Sequence, residues 1–149
     1  MTREILRVRG EDVPPERTPI SEPGRKHAFQ VGDVVEDHVR VVNPKDRTFV
    51  AVVVPLAAGM EPLNPSLATA PPEAKPEGSL TLTPSYVAYL DDHVAFYYDV
   101  LPKGTYDFYF RTRAQIEGSF VQPAARAEMM YDMAVEGTSP GARIEVKGK

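Results

Sequence analysis

The chain contains no cysteine. That absence excludes a disulfide framework, a thiol nucleophile and any cysteine metal site, and it leaves the compartment open. No apolar run approaches the ~20 residues that a membrane-spanning helix needs. The opening MTREILRVRG lacks the apolar core of a secretory signal, so an export signal belongs to a longer parent, if the protein is exported. No basic stripe runs through the sequence. Acidic and basic residues are interspersed, with a net charge of −4 and a pI near 5.4, which argues against nucleic acid as a partner. No nucleophile elbow and no glycine-rich phosphate loop is present, so no enzymatic activity is expected.

The sequence does have punctuation. Fifteen prolines and ten glycines in 149 residues cut it into short elements and disfavour long helices. A chain of this length makes one domain, 1–149, and buries roughly 68–70% of its unfolded surface. The hydrophobic fraction of 42% is ordinary for a globular domain.

Strand signals recur. REILRVR (3–9) alternates weakly, and the proline-rich stretch 10–26 reads as an extended connector without packed structure. In 27–43, Val35, Val39 and Val41 fall at period two with Glu36, His38 and Arg40 opposite, as in a half-buried strand. NPKD (43–46) has turn chemistry, and RTFVAVVV (47–54) reads as a core strand. Residues 55–78 hold six prolines and no periodicity, and 64–80 is expected to be a long flexible loop. A short strand is expected over 85–90. The clearest alternation is in 91–101 and 105–115 around PKG, which predicts an antiparallel hairpin. GSFVQP (118–123) and ARIEVK (142–147) close the chain. About seven strands and no helix predict an all-β fold, an antiparallel β-sandwich of the Ig or fibronectin type.

Most chemistry-bearing residues have plain readings. His27, His38 and His93 show no ligand spacing, so no metal is expected and all three read as solvated strand or turn residues. Asp33, Glu36, Asp37, Asp91 and Asp92 read as solvated turn carboxylates. Of the aromatics Tyr97, Tyr106, Phe108, Tyr109 and Phe110, one face is core and the other covers a sheet or makes a ligand platform. The segment PAARAEMMYDMAVEG (123–137) shows no alternation. Its Met129, Met130, Tyr131 and Met133 either pack beneath a connection or face a partner.

The order and spacing of several motifs resemble one family. N-P-x-D-R stands before a valine strand, and P-L-x-A-G-x-E-P-x-N follows with L-A-T. After these come L-P-x-G-T-Y, an aromatic strand, and G-x-F-x-x-P-A-x-A-E-x-M-Y before a last strand. From about residue 30 onward this is similar to the C-terminal macroglobulin-like domain of bacterial alpha-2-macroglobulins. There are departures. Val54 stands where the family often has an acidic residue, Ala57 where it has proline, and Met133 and Ala134 where it has proline and glutamate.

The resemblance implies a macroglobulin-type sandwich from a periplasmic protease trap, anchored in the inner membrane through the parent chain's N-terminal lipid. In such a trap, cleavage by the target protease exposes a Cys–Gln thioester. A chain without cysteine cannot carry that centre. The resemblance implies instead a non-catalytic domain with no cofactor, which packs on the thioester domain of the same parent chain and meets target proteases only through the full-length protein. Met130 and Tyr131 match the M-Y that shields the thioester; a thioether beside an aromatic ring excludes water yet stays displaceable. The competing reading is a stand-alone Ig-like binding or adhesion module, which has no need of that pair.

Overall fold

The computed structural model describes residues 2–8, 16–19, 25–65, 76, 80–129 and 132–148. Within them lie thirteen strands and no helix. The antiparallel sandwich expected from the sequence is present, with more and shorter strands than the seven read from it. Strands β1 (Thr2–Val8), β2 (Glu16–Pro19), β4 (Val34–Asn43), β6 (Met60–Leu63) and β9 (Gly104–Ala114) form one sheet in the order β2-β1-β4-β9-β6. A second sheet has the order β10-β13-β3, from β10 (Gly118–Gln122), β13 (Ala142–Lys147) and β3 (Arg25–Gln30). The third has the order β12-β11-β5-β8-β7, from β12 (Asp132–Thr138), β11 (Arg126–Met129), β5 (Arg47–Pro55), β8 (His93–Leu101) and β7 (Tyr86–Tyr89).

The first sheet packs against both others. Val39, Val41, Tyr106, Phe108 and Phe110 meet Val50, Val52, Val54, Val94, Phe96 and Tyr98 of the third sheet. Ile5, Val35, Met60 and Ala114 meet Phe29, Ile144 and Val146 of the second. Each fully buried large side chain contributes roughly 1.5–3 kcal/mol over leaving it in water.

Several segments differ from the sequence reading. The 91–115 region is not a hairpin. β8 pairs with β5 and β9 pairs with β4, so the chain crosses from one sheet to the other at Pro102 and Lys103. Alternation specifies which side of a strand is apolar, and two such strands can face each other across a core as readily as lie side by side. Here they face: the Phe96 and Phe108 ring centroids lie 4.9 Å apart. β4 and β5 cross at the same end, so two arches stack there.

The expected connector 10–26 contains β2 and the start of β3. β2 is an edge strand, where proline costs no ladder bond. The expected strand 27–43 divides at a turn in which Gly32 has φ +95° and the Asp33 amide donates to the Gln30 carbonyl at 3.0 Å. β3 then runs parallel to β13 in another sheet. β6 lies within the 55–78 stretch that lacked periodicity. Most of the 64–80 loop falls outside the described residues. Segment 123–137 contains β11 and most of β12, with Ala127 and Met129 packed on the core. A four-residue strand with one alanine and one methionine inward is too short to show a period.

Residues 80–85 strap the open side of the sandwich. The Asp107 amide donates to Thr81 Oγ1 at 2.9 Å, and the Tyr98 hydroxyl donates to the Leu82 carbonyl at 2.7 Å.

Candidate partner-binding surface

Met130 and Tyr131 lie outside the described residues. The strands on either side of them are placed. β11 pairs on one flank with β5, setting Met129 opposite Val50. On the other it pairs with β12, with the register shifting after Glu128 so that Met129 stands opposite Asp132. β11 therefore ends, in Met129, at the end of the sandwich where the arches cross, with β12 as its antiparallel neighbour. Met129 packs against the core, as one of the two sequence readings had it. The side chain of Met133 is outside the description.

That end is tightly braced, and the NPKDR motif does the bracing. Asn43 is buried and donates from Nδ2 to the carbonyls of Leu101 and Pro102, both at 3.0 Å. Asp46 Oδ1 accepts from the Lys103 amide at 2.8 Å. Arg47 donates from Nε to Asn43 Oδ1 at 3.0 Å and reaches Met129 Sδ with Nη1 at 3.8 Å. The Tyr106 hydroxyl donates to the Pro102 carbonyl at 2.6 Å. The motif thus locks both crossings together and ties them to the last residue of β11. Sequence reasoning found a turn here but not this role, although every residue of the motif was in view.

The outward face of the third sheet carries a groove of about 490 Å³. Ala51 and Val53 make its floor, with the Arg126–Glu128 ion pair (3.5 Å) on one rim and the Asp92–His93 pair (2.7 Å) on the other. Tyr97 lines it and stacks on exposed Tyr86, with centroids 6.1 Å apart. This is the outward aromatic face that the sequence left open between sheet cover and platform. Small floor residues between tyrosines and an arginine suit contact with another protein surface.

The outward face of the first sheet is a polar network, and here the solvated readings fail. Glu36, Asp37 and His38 are 3%, 2% and 9% exposed, and His27 is 6% exposed. Asp37, read from the sequence as a solvated turn carboxylate, instead shares the inward side of β4 with Val35 and Val39, where Arg3 Nε meets its Oδ1 at 2.7 Å. Glu36 pairs with Arg111 at 3.0 Å. The ring nitrogens of His38 lie 2.8 Å from Glu4 Oε1 and 2.7 Å from Asp107 Oδ1, and the ring stacks on Tyr109 at 4.4 Å. These charges are buried because each is matched across a strand pair, which no single segment reveals. Asp91 and Asp92 are exposed, as expected. Among the described residues no cluster of His, Asp or Glu suits a metal ion.

Partial burial works against ionisation of Asp107, but hydrogen bonds from Arg40 and His38 outweigh it and hold its carboxyl below the ordinary 3.8. A depressed carboxylate stabilises the fold above its unfolded value and loses that contribution as pH falls through the folded one. Asp107→Asn is therefore expected to lower stability at neutral pH and to flatten its dependence on pH below about pH 4. Denaturant midpoints of both proteins along a pH series check this; parallel curves would rule it out.

Comparison with known proteins places these features. The sequence model for the bacterial alpha-2-macroglobulin MG10 domain matches residues 1–133. No curated protein matches. Among solved structures, the fold is similar to Salmonella alpha-2-macroglobulin reacted with methylamine (21% identity, TM-score 0.69, 97% of this chain and 9% of that one). It is similar to trypsin-activated alpha-2-macroglobulin from Escherichia coli (19%, 0.71, 97% and 10%). It also resembles a tyrosine-to-glycine mutant of the Salmonella protein (20%, 0.68, 97% and 9%). The chain thus spans about a tenth of the length of these structures, and the likeness to them is one of fold.

Proposed function

Because the chain belongs to the family of bacterial alpha-2-macroglobulin MG10 domains, we propose that it is the non-catalytic C-terminal domain of such a protein, packing on the thioester domain and shielding its thioester. The whole molecule would then be a broad-spectrum endopeptidase trap of the periplasm, held at the inner membrane by the parent chain's N-terminal lipid. The observation that supports this reading is the braced end at which β11 finishes in Met129, the residue before Met130 and Tyr131 in the sequence: Arg47 reaches its sulfur, and Asn43 and Asp46 fasten both crossings there. The absence of cysteine fits a domain that guards a thioester without containing one. Salmonella alpha-2-macroglobulin has been crystallised after reaction with methylamine, the amine whose attack this reading would vary.

The test is Tyr131→Ala in the full-length parent. Losing one desolvated aromatic anchor costs roughly 2 kcal/mol, so methylamine should release the thiol at least tenfold faster than in wild type. An unchanged rate would end the shielding role. The stand-alone binding module has one observation in its favour, the tyrosine-lined groove. Such a module has no thioester to release, and it predicts instead an affinity for a partner that Tyr97→Ala, on the groove's lining, abolishes.

A further inference from the structure

The groove on the outward face of the third sheet has a regular frame. It runs along β5, which pairs on one flank with β8 and on the other with β11. The registers set its walls. Tyr97, Ala51 and Glu128 stand in one row across the sheet; Val53 and Arg126 share the next, and His93 and Pro55 a third. Across β5, the strands β8 and β11 lie roughly 10 Å apart, and Ala51 to Pro55 spans roughly 13 Å along it. The floor is small and the walls are tall: Ala51 and Val53 are only 3% and 9% exposed, although they face outward.

Two common ways of seating a peptide do not fit this frame. A peptide strand adds at a sheet edge, through free backbone groups, and β5 is paired on both flanks. A helix with its side chains is about 10–12 Å wide, as wide as the gap between β8 and β11 before their own side chains narrow it. A protein surface therefore enters by single side chains alone. The space of about 490 Å³ has the size of a small-molecule site.

The chemistry of the walls narrows the choice. Each carboxylate on the rim stands beside a base, Asp92 with His93 at 2.7 Å and Glu128 with Arg126 at 3.5 Å. Opposite charges so close largely cancel at the distance of a ligand and favour neither an anion nor a cation. They do offer the forked N–H donors of a guanidinium and the lone pairs of two carboxylates. Tyr97, backed by Tyr86 with ring centroids 6.1 Å apart, adds a flat apolar wall at one end. A ligand that matches all of this is small and uncharged, with one apolar face and hydroxyls around its edge.

We propose that the groove binds a neutral saccharide, with one sugar ring resting against Tyr97 and its hydroxyls bonded to Arg126, Glu128 and Asp92. This site goes beyond the shielding reading and does not depend on it.

The test presents the full-length parent to an array of neutral and anionic glycans, as wild type and as the variants Tyr97→Phe, Tyr97→Ala and Val121→Ser. Val121 is exposed on the second sheet, away from the groove. Wild type, Tyr97→Phe and Val121→Ser are expected to retain the same neutral glycans and no anionic ones. Tyr97→Ala should bind the retained glycans about tenfold more weakly. Its thiol release by methylamine should equal that of wild type, so the outcome is separate from that of Tyr131→Ala. Retention of no neutral glycan, or of anionic glycans alone, overturns the proposal, as does a Tyr97→Ala parent that binds as wild type does. If another domain of the parent fills the groove, wild type retains no glycan and Tyr97→Ala lowers the melting temperature, which also overturns it. Should Tyr97→Ala not fold, Arg126→Ala takes the same readout, since the Arg126 side chain is 47% exposed on the rim.

Discussion

Asp37→Ala is expected to destabilise the domain by roughly 3–5 kcal/mol, because it leaves a buried guanidinium without its counter-ion. Arg3 and Asp37 side chains are 0% and 3% exposed. Arg3 reaches across the core from the first sheet, donating to the Pro55 carbonyl at 3.3 Å, and its Nη2 has no partner among the described residues. Burying that charge is costly unless it is matched, and only the carboxylate matches it. The pair itself adds little net stability, since desolvation offsets most of the attraction. The double variant Arg3→Met with Asp37→Leu should therefore recover most of the loss. Urea midpoints at constant slope measure both. A loss under ~1 kcal/mol for Asp37→Ala would mean that water reaches Arg3 and that the pair behaves as a surface one.

Phe108→Ala carries a similar cost by a different route. Phe108 is fully buried, with its ring 4.9 Å from that of Phe96 and edge-on to Tyr98 at 6.0 Å. Truncation removes the transfer energy of the ring and opens a cavity between two sheets that cannot collapse together, roughly 3–5 kcal/mol in all. Such a loss is a large part of the ~5–15 kcal/mol that holds an ordinary domain. For a chain of this length the melting temperature should fall by roughly 2–4 °C per kcal/mol. A double-mutant cycle with Phe96→Ala should show coupling of about 0.5–1.5 kcal/mol. That coupling is a test of the arch, because it is the facing of β8 and β9 across the core that brings these two tilted rings to 4.9 Å.

The candidate site was partly legible. Met130 and Tyr131 were implied by the family resemblance that A-E-x-M-Y carries, and they lie outside the described residues. Phe49 in RTFVAVVV reads as one more apolar strand residue, and only the structure shows its positive φ and its exposure. Asn43 and Arg47 were visible as a turn motif. Their partners, the carbonyls of Leu101 and Pro102 and the sulfur of Met129, lie 58, 59 and 82 residues away, beyond any local pattern.

The sequence by itself determined the faces of the strands. Val35, Val39 and Val41, then Val94, Phe96 and Tyr98, then Phe108 and Phe110 all turn inward where alternation put them, because a strand's side chains alternate whatever it pairs with. It also determined that no thiol chemistry resides here. Tertiary structure decided which strands are neighbours, sending 91–101 and 105–115 to opposite sheets. It decided too that Glu36, Asp37 and His38 are buried, since a charge leaves water only when a distant segment delivers its opposite. Pairing and charge matching are both settled by closure of the whole chain, and a window of ten residues does not contain that information.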